Sequence, residues 1–536
     1  VLDPACGSGA FPMGVLHKLV FILNKLDPGN MKWKGRQLIK ASEIPDSTVR
    51  DQVIEDIEKS FTENELDYGR KLYLIENCIY GVDIQPIAVQ IAKLRFFISL
   101  VVDQIVDRAK LNLGIRPLPN LESKFVAANT LIGIEKPRQL LLHNPAIDEK
   151  EKQLAEVRDS LFTARTPATK RKYRELDMQL RTEIAFLLKN DGWSNDYSTQ
   201  LAGWDPYNQN ANAGFFDPEW MFGVKKGFDI VIGNPPYLES RHPAFNDNLK
   251  DNYQSSVKLR WKDDAKYVTK GSDLLIYFFE SAIYFINNDG NVVLITQNSW
   301  LDTEYGKKFQ IFLLRNTHVC KIVDSDFRYF KSGEGPNINT VISVFKGKKC
   351  NKQKNISFAR FHENFQQMNM ANLIFENEID ESVVSVKKYS LSDPLIQELK
   401  WGILLNSTEE ELQLLKLLQD KGKLLTELRN VSLSIGQGLN LTKDYFIELN
   451  DISSLGDINK ATIPIHTSAD GAIFDITKTR FFIIDKSKLS HKEIANIKRQ
   501  GHTVFDSKST SKKPPRLILP RGTGRHYCAL NSIDCF

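Results

Sequence analysis

Apolar positions along the first two thirds of this chain follow two alternating periods. Short Ile/Val-rich runs at Val1-Leu2, Ile79–Val82, Phe228–Ile232 and Asn291–Gln297 have the length and composition of buried strands. Between them the spacing turns helical: Val15, Leu16, Leu19, Val20 and Leu23 after the first run, then Ile87, Ile91, Leu94 and Ile98 after the second. Gly271-Ser272-Asp273-Leu274 opens a further, strongly apolar helix to Ile286. Strands alternating with helices predict an α/β domain built on a parallel sheet. Open sheets of this kind bind ligands at the carboxyl ends of their strands. Three strand ends therefore matter most: Asp3-Pro4-Ala5-Cys6-Gly7-Ser8-Gly9-Ala10-Phe11, Asp83-Ile84-Gln85-Pro86 and Gly233-Asn234-Pro235-Pro236-Tyr237.

The connections differ in character. Residues 27–75 read as a polar insert containing Gly and Asp. Residues 146–190 carry spaced apolar positions (Leu154, Val157, Leu161, Leu176, Leu180, Ile184, Leu187) broken by Thr166-Pro167, which predicts a helical hairpin. Ten basic residues nearly balance eight acidic ones there, the signature of a solvated strut rather than a DNA clamp. Residues 191–222 read as an irregular lead-in to the third strand end. Lys250–Lys270 is polar and basic, suited to lie over a substrate. Cys320–Val323 and Asn339–Phe345 predict two strands around Phe327-Arg328-Tyr329-Phe330. Beyond about residue 350, strand-like runs (Phe481–Ile484, Arg516–Leu519), a helix at Thr408–Gln419 and Gly-containing loops suggest a second, mixed α+β domain over 351–536.

The chemistry follows from the loops. Consecutive prolines fix two φ angles and remove two backbone donors, so the carbonyls of Asn234–Pro236 are held outward. Asn234 adds a side-chain acceptor and Tyr237 a flat ring, a pairing suited to a planar amino group and the ring that bears it. The plainer reading is a Pro-terminated strand. Gly7 and Gly9 let a ligand approach the backbone, but Pro12 stands where a dinucleotide fingerprint needs its third Gly. Asp83 is placed either to accept ribose hydroxyls or to cap the following helix.

Taken in this order, the three loops resemble those of the γ-group N6-adenine DNA methyltransferases, most closely the large type IIG restriction–modification and phage-defence methylases. The likeness includes the run Gly81–Arg95 and extends over residues 1 to about 350, more loosely beyond. The resemblance implies a Rossmann-like methyltransferase sheet over 1–350 with a helical insert at about 146–190, followed by a target-recognition domain. It implies S-adenosyl-L-methionine as cofactor, held by Asp3, Pro4, Ala5, Gly7, Gly9, Phe11, Asp83 and Ile84. Asn129 would face its adenine, in a Lys124–Gly133 segment where Ala128 replaces the usual Gly; a turn role for Asn129 stands beside that reading. Asn234, Pro235, Pro236 and Tyr237 would form the catalytic loop. Phe330 would stack on the extruded base opposite Tyr237, with Phe327 and Tyr329 as competitors and a core aromatic as the plain alternative.

Composition adjusts this picture slightly. The 536 residues imply at least two domains, and the net charge of +5 does not by itself announce a nucleic-acid binder. No apolar run is long enough to span a bilayer and no signal peptide opens the chain, so no membrane partner is expected. Six cysteines without C-x-x-C spacing argue against a metal site or a disulfide framework, and point to a cytoplasmic protein. Lys508, Lys512, Lys513, Arg516, Arg521 and Arg525 follow one another with no acid between Ser507 and Arg525, a pattern suited to phosphate contacts or to a solvated loop. Double-stranded DNA is the expected partner, read through Lys512, Lys513, Arg516, Arg521 and Arg525. Rival readings share the loop: cytosine-N4, RNA and protein-glutamine methyltransferases, or a specificity module that does not catalyse. The start at Val1, without the helix-and-loop motif that precedes the first loop in this family, and the end soon after Arg525 read as a fragment whose parent can carry a nuclease domain or subunit elsewhere.

Overall fold

A computed structural model describes residues 1–43, 66–104, 119–134, 144–327 except 165 and 194, 339–347, 355–362 and 384–421, with scattered residues between and five short strands beyond 445. Its main sheet has nine strands: β1 (Leu2–Asp3), β2 (Tyr80–Asp83), β3 (Phe125–Ala127), β4 (Phe228–Gly233), β5 (Ile286–Gln297), β6 (His318–Ser325), β7 (Thr340–Lys346), β8 (Asn355–Phe361) and β9 (Val384–Ser390). The order is β3-β2-β1-β4-β5-β7-β6-β8-β9. β3, β2, β1, β4 and β5 are mutually parallel, and β7 runs antiparallel between β5 and β6.

The chain builds outward from β1 through β2 to β3, then returns to the other side of β1 for β4 and β5. The order thus reverses between β1 and β4, whose register pairs Leu2 with Val231. Open α/β sheets bind their ligands at this crevice. The fold is the expected Rossmann-like α/β sheet, with a helix after each of β1 (Ala10–Leu26), β2 (Pro86–Val102) and β5 (Glu304–Asn316). Leu16, Val20, Val89, Ala92, Phe96 and Leu100 bury the inner faces of the first two helices against Phe125.

The described residues of the polar insert form helices that its composition does not announce. These are Met31–Ser42 and Leu66–Asn77, and the second buries Tyr68, Leu74 and Ile75 in the same core. The helical hairpin is present as Pro145–Thr163 and Pro167–Asn190, the second opened by a Thr166/Thr169 capping box. Its centre is a buried ion triad: Asp177 accepts from Arg158 at 2.9 Å and from Arg181 at 2.7 Å. The lead-in to β4 contains short helices at Asn195–Gly203 and Pro218–Phe222.

The domain boundary differs from the expected position at 350. β8 pairs with β6 in parallel and β9 closes the same sheet, so the first compact unit runs from Val1 to Leu412 and the second from Gln413 to Phe536. Trp401, Leu404 and Leu405 are buried beside β8, which explains the continuity. The second unit holds a three-stranded antiparallel sheet from Phe446–Leu449, Arg480–Asp485 and Thr462–Ser468, and a two-stranded pair from Arg516–Ile518 and Ala529–Asn531. Among the described residues no helix is long and apolar enough to cross a membrane.

Candidate active site

The first loop is held by its neighbours on both sides. Cys6 N–H donates to the carbonyl of Val82 at 2.9 Å, and Gly7 N–H donates to Asp83 Oδ2 at 2.9 Å. Asp83 Oδ1 accepts from Gln85 N–H at 2.9 Å. Asp83 is therefore fixed between the two loops, and a carboxylate with about four acceptor positions still has capacity for ribose hydroxyls. Gly9 sits at φ +81° as the N-cap of the first helix, and a Cβ there would lie 2.9 Å from the Ala92 methyl. Only glycine permits that approach. Pro4 is buried, with its carbonyl accepting from Thr130 Oγ1 at 2.7 Å; Ala5, Gly7 and Phe11 are half-buried and Ile84 is exposed. A Gly-rich turn, a helix start and a tethered acid at the switch point fit an S-adenosylmethionine nucleoside.

Asp3 lies deepest. It accepts from Ala5 N–H at 3.1 Å, and a Cβ on Gly233 would stand 2.6 Å from its Oδ1. The first loop therefore touches the backbone just before Asn234, and position 233 excludes a side chain. Burial, with a smaller contribution from the Asp83 charge, pushes the Asp3 carboxyl up to about 8, so it is protonated at neutral pH. Cys6 is buried in the core with its thiol raised well above the usual range, a packing residue rather than a nucleophile.

The third loop follows β4. Pro235 is buried, Pro236 exposed, and Asn234 and Tyr237 lie between these extremes. Asn234 Oδ1 is sealed from solvent yet accepts no hydrogen bond. The Tyr237 hydroxyl is pushed up to about 12 by burial, offset in part by a hydrogen bond from the Asn234 side chain. The buried acceptor and the aromatic ring are thus neighbours at the carboxyl end of β4.

Asn129 is buried after β3, where its Oδ1 accepts from Leu131 N–H at 3.2 Å and its side chain reaches the Tyr253 hydroxyl. That geometry gives Asn129 a turn role. Asn212, in the lead-in to β4, donates to the Ile84 carbonyl at 2.9 Å. Sequence reasoning passed over it; its only mark was an Asn/Gly-rich run. Phe330 and Tyr329 lie outside the described residues, while Phe327 is 43% exposed just past β6. Lys512, Lys513, Arg521 and Arg525 also lie outside them, and Arg516 opens its strand without a described side chain.

These features together define a Rossmann-like methyltransferase sheet with an Asn-Pro-Pro-Tyr loop beside its Gly loop. Residues 77–330 match the Eco57I restriction-modification methylase family. It is 31% identical over 368 residues to the putative type II restriction enzyme and methyltransferase RM.MjaORFECS2P of Methanocaldococcus jannaschii, covering 56% of this chain and 26% of the relative. It is 22% identical over 251 residues to the type II methyltransferase M.BstVI of Geobacillus stearothermophilus, covering 45% and 41%. The chain thus spans well under half the length of these relatives. Among solved structures it is similar to a nuclease-deletion mutant of the type ISP restriction-modification enzyme LlaGI in complex with a DNA substrate mimic, with 13% identity, 73% and 24% coverage and a TM-score of 0.36.

Proposed function

We propose that this chain is the methyltransferase part of a site-specific DNA methyltransferase that transfers a methyl group from S-adenosylmethionine to N6 of adenine, within a restriction–modification or phage-defence system. The observation that carries this reading is Asn234 Oδ1, an acceptor hidden from water with no donor, beside Tyr237 at the switch point. Leaving such a group unpaired costs about 1–3 kcal/mol. An exocyclic amine supplies the missing donor.

The amine of adenine is a poor nucleophile because its lone pair is delocalised into the ring. Accepting its two hydrogens, on Asn234 Oδ1 and the Pro235 carbonyl, opposes that delocalisation and stabilises charge developing on nitrogen. The cofactor supplies an electrophilic methyl on a sulfonium centre. The residues fitted to hold it are Asp3, Pro4, Ala5, Gly7, Gly9, Phe11, Asp83 and Ile84, with Asn129 toward its adenine. The base leaves its stack at a cost of a few kcal/mol, and stacking on Tyr237, with Phe330 as second face, returns about 1–3 kcal/mol per contact. Double-stranded DNA is the proposed partner, gripped by the target-recognition region through Lys512, Lys513, Arg516, Arg521 and Arg525.

The test is tritiated methyl transfer to unmethylated duplex DNA, with nucleoside analysis of the product, for the wild type and Asn234→Ala. N6-methyladenine from the wild type alone supports the reading. N4-methylcytosine, or a methylated RNA or protein, redirects it, and salt-dependent DNA binding without methylation favours a specificity module.

A further inference from the structure

Asp273 stands at the N-cap of the Leu274–Phe285 helix but makes no side-chain cap there. It is 7% exposed, and both of its oxygens are used elsewhere. Oδ1 accepts from Ser240 N–H at 2.8 Å, three residues past Tyr237. Oδ2 accepts from the Tyr305 hydroxyl at 2.6 Å and from Ser299 Oγ at 3.5 Å. Next to it, Leu274 N–H donates to the Leu238 carbonyl at 3.0 Å. Ser299 belongs to the turn directly after β5, and Tyr305 to the helix that follows. One buried carboxylate therefore joins the downstream end of the catalytic loop to the carboxyl end of the neighbouring strand. The upstream end is already held by β4 and by the contact of Asp3 with Gly233.

We propose that Asp273 is the positioning residue of the Asn234–Tyr237 loop: it clamps the free end of the loop so that Asn234, Pro235 and Tyr237 meet the target base at fixed spacing. This rests on the methyl-transfer reading above. Asp273 does not itself touch the reacting atoms. Its effect belongs in turnover rather than in cofactor affinity, because the cofactor loops are built on β1 and β2.

The experiment compares Asp273→Ala, Asp273→Asn and Tyr305→Phe with the wild type by single-turnover methylation of unmethylated genomic duplex DNA, S-adenosylmethionine titration and amide hydrogen exchange. A misplacement of about 1 Å costs about 100-fold in rate, and Asp273→Ala is expected to lose that much with cofactor affinity unchanged. Asp273→Asn keeps an acceptor for Ser240 and is expected to recover most of the rate. Tyr305→Phe removes one donor, leaves the fold intact and is expected to give a smaller loss in the same direction. Exchange at residues 238–241 accelerates in Asp273→Ala and not in Asp273→Asn. Wild-type turnover in Asp273→Ala, or equal losses of turnover and cofactor binding in all three variants, overturns the proposal. Should Asp273→Ala not fold, a Tyr305→Phe enzyme with wild-type turnover overturns it. A wild type that methylates nothing overturns the functional reading instead, while exchange at 238–241 still reports whether the clamp exists.

Discussion

Two buried polar groups near the same sheet show how scaffold and site differ. Arg260 and Glu280 form an ion pair at 2.7 Å with side chains 2% and 0% exposed. Arg260 also donates to Ser281 Oγ and to the carbonyls of Thr130 and Leu131, and Glu280 Oε2 accepts from the Trp261 indole at 2.7 Å. Each charge is enclosed by partners, tying the turn after β3 to the helices around β4. Asn234 Oδ1 is as hidden from water and has no donor. Most buried polar groups that serve the fold are satisfied within it, although Trp300 Nε1, Gln310 Oε1 and Ser343 Oγ are buried in the scaffold without a partner. What sets Asn234 Oδ1 apart is its place, at the carboxyl edge of β4 beside Tyr237.

The comparison can be broken from either side. Arg260→Met strands the Glu280 carboxylate, and removing one partner of a buried pair costs about 3–5 kcal/mol; equilibrium denaturation should show that loss. Asn234→Ala should do the reverse. Methyl transfer should drop about 10²–10³-fold, as when one electrostatic contact to a transition state is deleted, while the melting temperature holds or rises because an unpaired group is gone. A melting temperature falling as far as that of Arg260→Met would place Asn234 with the scaffold.

Gly233→Ala tests how closely the two loops meet. Its methyl group would stand 2.6 Å from Asp3 Oδ1, and overpacking of this kind costs about 1–3 kcal/mol in a denaturant titration. The last effect concerns Asp3 itself and depends on pH. Its carboxyl rises on folding to about 8, so the folded chain holds this proton more tightly than the unfolded chain does. The resulting stability is full below the unfolded value near 4 and is lost as pH rises through about 8. Asp3→Asn, close in shape to the neutral acid, should lie within about 1 kcal/mol of the wild type at pH 4 and, binding no proton, should flatten the decline from there toward pH 8 in cofactor-free protein. An unchanged slope would assign the decline to another group.

Much of this was legible in the chain. β1, β2, β4 and β5, their helices and the hairpin at 146–190 carry local apolar periods, and the Gly loop and Asn-Pro-Pro-Tyr loop carry their chemistry in adjacent residues. The helices of the 27–75 insert were less visible, because each presents a narrow apolar face among charges. The boundary at 350 moved to 412 because β8 and β9 complete a sheet begun hundreds of residues earlier. Asp273, Asn212 and the Arg260–Glu280 pair left no local mark beyond a polar residue at a helix start, an Asn-rich run, one charge in the polar stretch at 250–270 and one inside a strongly apolar helix.

By itself the sequence determined the strand and helix types and the residue content of each loop, since φ restriction, periodicity and side-chain chemistry act within a few residues. Only the tertiary structure decided that β4 returns beside β1, that Asp3 touches Gly233, that Asp83 is tethered to Gly7 and that Asp273 clamps the loop from the far side. Those contacts join positions 33 to 230 residues apart, and burial between strands, rather than any local preference, selects them.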